Sequence, residues 1–180
     1  MSATTHFMTA EELRDLANEP FRHELIKGEL LTMPLPKLQH ARVCANLTML
    51  LLQHVRANHL GEVYAEAGFK LESNPDTVLG PDVSFVNEAR TEKRGDDYYS
   101  GSPDLAVEVL SPGDRIGKIE QKVNLWLQAG ARSVWLINPR HRTVEVVSAN
   151  GERRIFRDTD ELADDDTVPG FRVAVSEIFA

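Results

Sequence analysis

The chain has 180 residues, of which 42% are hydrophobic and 27% charged, and its formal net charge is -8. This length and composition suit one globular domain with its own core, so we expect a single domain over residues 1–180. The negative charge argues against a protein that coats nucleic acid through its overall charge, because phosphate binding draws on lysine and arginine. An acidic site can still bind a phosphodiester when metal ions lie between its carboxylates and the substrate.

The absence of membrane spans, a signal peptide and a second cysteine limits the predicted cellular location and redox chemistry of the protein. No segment approaches the roughly 20 apolar residues of a membrane span, and the start has neither the charged nor the apolar region of a signal peptide. We therefore expect a cytoplasmic protein that does not contact a membrane. Cys44 is the one cysteine, which excludes disulfides and Cys-type zinc sites within the chain. Its apolar helical surroundings predict a buried core residue, and the histidines lack the paired spacing of a zinc site.

The first third of the chain predicts a helix, a hairpin and a second helix. Residues 9–12 have the spacing of a capping box, so a short helix begins there and ends near Asn18. The pair at residues 27–28 divides residues 21–33 into two strands of a hairpin. Apolar residues recur at helical spacing over residues 38–59, which predicts a long amphipathic helix against the core.

The rest of the chain is dominated by strand patterns. Six strands are expected, at residues 62–71, 82–86, 104–110, 133–137, 143–147 and 152–156. The first three form a meander, and Asn150-Gly151 predicts the turn between the last two. Between the third and fourth strands, Asp114 is the expected cap of a helix that ends at Gly130.

Two acids lie inside apolar strands. Asp82 follows Pro81 at the start of one strand, and Glu108 lies 26 residues later in another. A buried carboxylate is costly unless it is paired, so acids on two adjacent strands suggest a shared cation. Mg²⁺ suits them because it takes oxygen ligands, usually one or two carboxylates with several waters. The backbone carbonyl of Val109 is a candidate for a further ligand.

A lysine near such a metal would orient the attacking water and stabilise developing negative charge. In the simplest arrangement it lies two residues after the glutamate, but Leu110 occupies that position. The following helix supplies Lys118 and Lys122, one turn apart on one face, so either could reach back to the metal. Lys122 lies deeper in the helix and is the better candidate.

Short motifs in a characteristic order run through most of the chain: RHELIKGEL (residues 22–30), His40, GPDV (80–83), PDLAVEVLSP (103–112), Lys122, AG (129–130), WLINP (135–139) and TVEV (143–146). With them the chain resembles the Uma2 family of endonucleases, within the PD-(D/E)xK superfamily. The resemblance implies an α/β fold of the restriction-endonuclease type, in which helices flank a central mixed sheet and extra strands follow at the C-terminus.

The resemblance also implies an active site of Asp82, Glu108 and Lys122, with Glu24 nearby as an additional acid. It implies a Mg²⁺ or Mn²⁺ cofactor, nucleic acid, expected to be DNA, as the substrate, and a homodimer. The chain departs from the family where an aspartate is common four residues before the lysine. Lys118 occupies that position, and it is a candidate for substrate contact.

Several of these residues also have simpler structural interpretations. Asp82 could cap a turn, because Pro-Asp pairs often form turns, and we interpret the similar Asp104 as structural. Glu24 could be a surface acid on its strand. His40 could contact substrate or assist proton transfer, but a histidine at a helix start is more often structural. Glu108 and Lys122 could form a salt bridge without any catalytic role.

A polar loop between the two acid-bearing strands carries cations and aromatic rings that could meet phosphates and bases, although a solvated loop is the simpler interpretation. These residues are Arg90, Lys93, Arg94, Tyr98 and Tyr99.

The leading prediction is a Mg²⁺-dependent endonuclease in which Asp82 and Glu108 hold the metal, Glu24 assists, and Lys122 orients or activates water. Leu110 and the acidic balance support a second hypothesis: a catalytically inactive nuclease-fold module for nucleic-acid binding or dimeric interaction. A third is another metal hydrolase with a small phosphoester substrate, because a fold does not determine a function.

Overall fold

The computed structural model describes residues 7–93 and 97–180. Within these ranges the α-helices are α1 (Ala10–Asp15), α2 (Leu38–Ala57), α3 (Ile116–Gln128) and α4 (Val175–Ile178), and short 3-10 turns cover Leu16–Asn18 and Glu88–Lys93. The strands are β1 (Arg22–Ile26), β2 (Glu29–Met33), β3 (Gly61–Ala65), β4 (Phe69–Glu72), β5 (Thr77–Leu79), β6 (Val83–Asn87), β7 (Tyr99–Ser100), β8 (Leu105–Val109), β9 (Ser133–Asn138), β10 (Thr143–Ser148), β11 (Arg153–Arg157), β12 (Glu161–Ala163) and β13 (Arg172–Ala174). None of the helices in the described ranges combines the length and apolar character needed to span a membrane.

The strands form one central mixed sheet and two smaller sheets. The central sheet has the order β11-β10-β9-β8-β6-β3, in which β8 and β9 are parallel and the other neighbours antiparallel. A five-stranded sheet has the order β2-β1-β5-β4-β7, and β12 pairs with β13. Helices flank the central sheet, and β10 and β11 extend it as the expected additional strands. The architecture therefore has the predicted mixed α/β character.

The central sheet forms the middle layer because its inner strands are apolar on both faces. Val107 of β8 packs in one core cluster with Leu47 of α2. Ala106, its neighbour along the strand, packs in a second cluster with Trp126 of α3. Each such large apolar side chain contributes about 1.5–3 kcal/mol when fully buried. Side chains alternate along a strand, so Glu108 shares the α3 face with Ala106.

The predicted strand at residues 62–71 is wrong, because two strands in different sheets occupy this region. The backbone turns after β3 at Glu66, which has a φ of 53°. At Gly68 the ring of Tyr98 lies so close that a side chain would collide with it. The chain then enters β4 in the five-stranded sheet, pairs with β5, and returns to the central sheet at β6. β3, β6 and β8 are neighbours as the meander required, but β4 and β5 interrupt it.

The predicted cap at Asp114 is also wrong. Its Oδ2 accepts a hydrogen bond from the Ser111 amide at 2.7 Å. Arg115 is the N-cap residue of α3 and makes no side-chain capping hydrogen bond. The side chain of Asp114 instead accepts a backbone hydrogen bond within the loop before the helix, as aspartates in turns often do. The capping box at Thr9 and Glu12, by contrast, is confirmed.

Asp76 fastens α1 to the five-stranded sheet. Its Oδ2 accepts hydrogen bonds from the Ala10 amide at 2.7 Å and from Lys70 Nζ at 2.9 Å. Burial opposes the ionised form of this carboxyl, but these two hydrogen bonds outweigh burial and hold its pKa below the usual value. The interaction therefore stabilises the folded state above the unfolded pKa of about 3.9, and this contribution is lost as the pH falls through the lower folded value.

We expect Asp76→Asn to lower the free energy of unfolding at pH 7 by about 1–3 kcal/mol, because a hydrogen-bonded charge is lost from a buried position. The difference from wild type should shrink in acid, where Asp76 is protonated. Urea denaturation at several pH values measures both effects. Asp97→Asn is the control: Asp97 pairs with Arg14 of α1 at 3.3 Å, but the two side chains are 57% and 51% exposed. An equal loss in that variant would contradict the assignment.

Candidate active site

Three carboxylates converge where the five-stranded sheet, the central sheet and α3 meet. Glu24 comes from the middle of β1, Asp82 immediately precedes β6, and Glu108 lies near the end of β8. Asp82 and Glu24 are 6% and 1% exposed as residues, so both acids are removed from bulk water. Burial of several carboxylates together requires positive charge close by.

Lys122 joins two of these acids. Its Nζ lies 3.0 Å from Glu108 Oε2 and 3.1 Å from Glu24 Oε1. Burial disfavours the charged amine, but Glu108 and Glu24 outweigh burial and raise the pKa of Lys122. The lysine is therefore an ammonium ion at neutral pH, able to donate hydrogen bonds but not to accept a proton.

Arg22 makes the second link, between Asp82 and Glu24. Its Nη1 donates to Asp82 Oδ1 at 2.9 Å, and Nη2 lies 4.0 Å from Glu24 Oε1. Nη2 also donates to the Gly80 carbonyl, which fixes the guanidinium against the loop before Asp82. The acids and cations thus form a continuous chain from Asp82 to Glu108.

Glu108 is oriented by two donors from α3. Trp126 Nε1 donates to Oε1 at 2.9 Å, while Lys122 donates to Oε2. Burial raises the pKa of Glu108, an effect that the charge of Lys122 only partly opposes. Further positive charge, such as that of a metal ion, would stabilise the ionised form of Glu108.

Asp82 is held by the central sheet and by α2. Its Oδ2 accepts a hydrogen bond from the Val109 amide at 2.7 Å and lies 3.3 Å from His40 Nε2. Burial opposes ionisation of Asp82, but His40 and Arg22 outweigh burial and lower its pKa. The hydrogen bond to Asp82 in turn raises the pKa of His40 to about 10. Asp82 is therefore an anion at neutral pH.

Glu24 has one satisfied and one unsatisfied oxygen. Oε1 accepts hydrogen bonds from the Gly80 amide at 3.0 Å and from Lys122. Oε2 is buried and has no hydrogen-bond partner within residues 7–93 and 97–180. A bare carboxylate oxygen in such a position carries a desolvation cost that a cation or a bound water would remove. The donor set, which is rich in carboxylate oxygen, fits Mg²⁺ or Mn²⁺.

The structure brings together the four residues that the sequence analysis placed in the active site: Asp82, Glu108, Lys122 and Glu24. Lys118 instead lies exposed in the first turn of α3. Of the two lysines on this helix, Lys122 is the one in contact with Glu108. Leu110, at the position usual for the lysine, packs with the apolar cluster beneath α3.

Sequence reasoning missed Arg22 as a member of this cluster, and it left His40 without a partner. Arg22 and Glu24 are two residues apart on β1, so their side chains project from the same face of the strand. That spacing was the available signal. The contact between His40 and Asp82 joins residues 42 positions apart in the sequence, and local patterns do not reveal it.

The sequence predicted that Cys44 would be a buried core residue, but it is only half-buried. Its sulfur lies 3.5 Å from His40 Nδ1, one helical turn away on α2. His40, Cys44 and Asp82 line an open cleft of about 480 Å³ that runs along α2. Cys44 packs against the core cluster as expected, but it also borders the cleft and is therefore not fully buried.

The polar loop is partly accounted for by structural contacts. Arg90 Nη1 pairs with the buried Asp104 at 3.1 Å, and the Tyr99 hydroxyl donates to the Arg90 carbonyl at 3.1 Å. Asp104 therefore has the structural role expected of it. Arg94 and the side chain of Lys93 lie outside the described residues.

Comparison with known proteins identifies the family. Residues 10–176 match the family model described as "Uma2: Putative restriction endonuclease". The structure is similar to the crystal structure of a protein described as "a putative nuclease belonging to DUF820" from Anabaena variabilis ATCC 29413. The TM-score is 0.82 at 20% sequence identity, and the alignment covers 96% of this chain and 97% of the other. No match was found among curated proteins. The fold is therefore the nuclease-type α/β fold that the sequence predicted, and the chain belongs to the Uma2 family.

Proposed function

We propose that this protein is a divalent-metal-dependent endonuclease that hydrolyses phosphodiester bonds in nucleic acid, with DNA as its substrate. The observation that carries the proposal is that Glu24, Asp82 and Glu108 are linked through Arg22 and Lys122, while Glu24 Oε2 has no hydrogen-bond partner among the described residues. Membership in the family described as "Putative restriction endonuclease" supports the reaction class.

Asp82, Glu108 and the Val109 carbonyl are the residues that would hold Mg²⁺ or Mn²⁺, with Glu24 assisting directly or through water. When bound, such an ion would polarise the phosphodiester and activate a water molecule for attack. Trp126 contributes indirectly, because its hydrogen bond fixes one oxygen of Glu108 and leaves the carboxylate with a defined orientation.

Lys122 is proposed to position the attacking water and to offset negative charge that develops on the phosphate. The raised pKa keeps Lys122 charged, and two carboxylates hold it in place. Its ammonium group therefore suits this role, because it donates hydrogen bonds from a fixed position. It does not suit the role of general base, for which a neutral amine is required.

Arg22 is proposed to be a positioning residue. It links Asp82 to the Gly80 carbonyl and approaches Glu24, so it holds the acid of β1 and the acid before β6 in a fixed relation. We also propose a homodimer, which would bring two such sites to the two strands of a duplex.

One observation favours the alternative of an inactive nuclease-fold module. The ammonium of Lys122 contacts both Glu108 and Glu24, so a salt-bridge network neutralises much of the buried acid without any metal. Such a network would preserve the fold even if chemistry had been lost.

Cleavage assays with a supercoiled plasmid, single-stranded DNA and RNA test the proposal. We expect DNA cleavage with Mg²⁺ or Mn²⁺ and none when EDTA removes the metal. Isothermal titration calorimetry with the same ions should show binding that requires both Asp82 and Glu108. If no nucleic acid is cleaved with any metal and no such binding is measured, the inactive module is favoured. Hydrolysis of small phosphodiesters alone would instead support a different phosphoester substrate.

A further inference from the structure

The cleft along α2 is lined by three possible metal ligands, of which the proposed nuclease chemistry uses only Asp82. One ring nitrogen of His40, the sulfur of Cys44 and one carboxylate oxygen of Asp82 lie within 4.8 Å of one another. All three residues line the cleft, so an ion and water can reach them from solvent. A metal site needs such an entry path as well as suitable ligands.

The spacing of these atoms is close to what one ion requires. Metal–ligand bonds of about 2.0–2.3 Å in tetrahedral geometry place donor atoms roughly 3.5 Å apart. His40 Nδ1 lies 3.5 Å from Cys44 Sγ, and His40 Nε2 lies 3.3 Å from Asp82 Oδ2. The two ring nitrogens face different partners, so an ion would take one of them, and the remaining donor would move inward by about 1 Å.

Helix α2 holds the imidazole and the thiol together. His40 and Cys44 are four residues apart, which places them on one face of the helix, one above the other. Asp82 is anchored independently by the Val109 amide at 2.7 Å and by Arg22 at 2.9 Å. Two rigid elements thus present the three donors, and the open cleft leaves a fourth position for water, as in zinc sites that are not fully enclosed by protein ligands.

We propose that His40, Cys44 and Asp82 form a second metal site, for a borderline transition-metal ion such as Zn²⁺ or Co²⁺, and that it shares Asp82 with the proposed Mg²⁺ site. Thiolate and neutral imidazole ligands select such ions, whereas Mg²⁺ prefers oxygen alone, and His40 would release its proton when the ion binds. This revises the expectation that the chain has no zinc site, because one histidine and one cysteine of α2 lie close to an aspartate from a distant part of the chain.

The shared carboxylate has a functional consequence. An ion held by His40 and Cys44 would take the Asp82 carboxylate as a ligand, so Zn²⁺ would compete with Mg²⁺ for Asp82 and slow Mg²⁺-supported cleavage. This consequence rests on the proposed function, whereas binding of the transition-metal ion does not. Binding and cleavage can therefore be tested separately.

Titration of the metal-free 180-residue chain with Co²⁺ tests the site directly. Cys44 is the one cysteine in the sequence, so a thiolate-to-cobalt charge-transfer band in the near ultraviolet can arise from this residue alone. We expect that band to saturate at one Co²⁺ per chain, to persist in excess Mg²⁺, and to be lost in Cys44→Ser. His40→Ala should weaken Co²⁺ binding at least about tenfold, since a ligand is removed.

His54→Ala is the matched control, because His54 lies on the same helix but its Nε2 contacts the Pro169 carbonyl at 2.9 Å. This variant should bind Co²⁺ as the wild type does. In a second measurement, Zn²⁺ should slow alkylation of Cys44 by iodoacetamide at least about tenfold, and Mg²⁺ should not.

The proposal is overturned if saturating Co²⁺ gives no sulfur band, if His40→Ala binds Co²⁺ as tightly as wild type, or if Zn²⁺ leaves the alkylation rate unchanged. A protein that shows the band but cleaves no nucleic acid would support the second site while contradicting the nuclease function. Cleavage without the band would do the reverse.

Discussion

Asp82→Asn is expected to lower the rate of DNA cleavage at least about 100-fold while leaving the protein folded. Asparagine has the same shape as aspartate, and its carbonyl oxygen can accept a hydrogen bond from the Val109 amide, which now lies 2.7 Å from Oδ2. It lacks the negative charge that would hold a divalent metal and that now pairs with Arg22 at 2.9 Å. Affinity for Mg²⁺ should fall together with the cleavage rate.

Asp104→Asn is the matched control for this change. Asp104 also follows a proline, is buried, and pairs with arginines, Arg90 at 3.1 Å and Arg132 at 3.3 Å, but it lies at the other end of β8 from Glu108. Both variants should lose some stability, whereas cleavage per folded molecule should fall only in Asp82→Asn. Rates within twofold of wild type for Asp82→Asn, with folding checked by circular dichroism, would reject the assignment of Asp82.

The contrast between these two aspartates shows what local sequence can and cannot reveal. Each follows a proline at the entrance to an apolar strand, and the pattern alone allows either to be a turn residue. In the sequence, Asp82 could be distinguished from Asp104 by its greater distance from Glu108 along the chain and by the family resemblance. The structure separates them physically, because different cations surround them: Arg22 and His40 in one case, Arg90 and Arg132 in the other.

Glu108 was predictable from the residues themselves because an ionisable side chain in an otherwise apolar strand requires a partner. Lys122 followed from helical spacing, which places it one turn beyond Lys118 in α3. Arg22 and the contact of His40 with Asp82 did not follow, since both depend on how the hairpin and α2 pack against the central sheet. Local periodicity carries no information about packing between distant elements.

The prediction of a single strand over residues 62–71 was wrong for a related reason. The alternation of apolar and polar residues continues across β3 and β4, so the pattern predicts one strand. The break depends on a left-handed residue at Glu66 and on the Tyr98 ring, which approaches Gly68 from a distant part of the chain. This break shapes the candidate site: the chain leaves the central sheet after β3 and returns at Asp82, which places the five-stranded sheet and Glu24 beside the acids of the central sheet.

Lys122→Met is expected to lower the free energy of unfolding by about 3–5 kcal/mol, the usual cost of removing one partner from a buried ion pair. The substitution leaves Glu108 and Glu24 facing each other without the ammonium that now lies 3.0 and 3.1 Å from them. Because the pKa of Lys122 is raised, its charge stabilises the folded protein below the ordinary lysine pKa of about 10.4, as long as Glu108 is ionised. Urea denaturation at pH 7 therefore detects the full effect, and Lys118→Met, which removes an exposed lysine of the same helix, should change stability by less than about 0.5 kcal/mol.

The double variant Lys122→Met/Glu108→Gln tests whether the lost stability comes from the uncompensated charge of Glu108. Glutamine removes one uncompensated charge and can still accept the hydrogen bond from Trp126, so much of the lost stability should return. Cleavage should stay at least about 100-fold below wild type, because both the metal ligand and the ammonium are absent. The decisive measurement is the cleavage rate of the Lys122→Met single variant, normalised to the folded fraction. A rate within tenfold of wild type would mean that Lys122 only neutralises buried acid. A loss of cleavage that persists in the folded protein would mean that Lys122 takes part in the reaction.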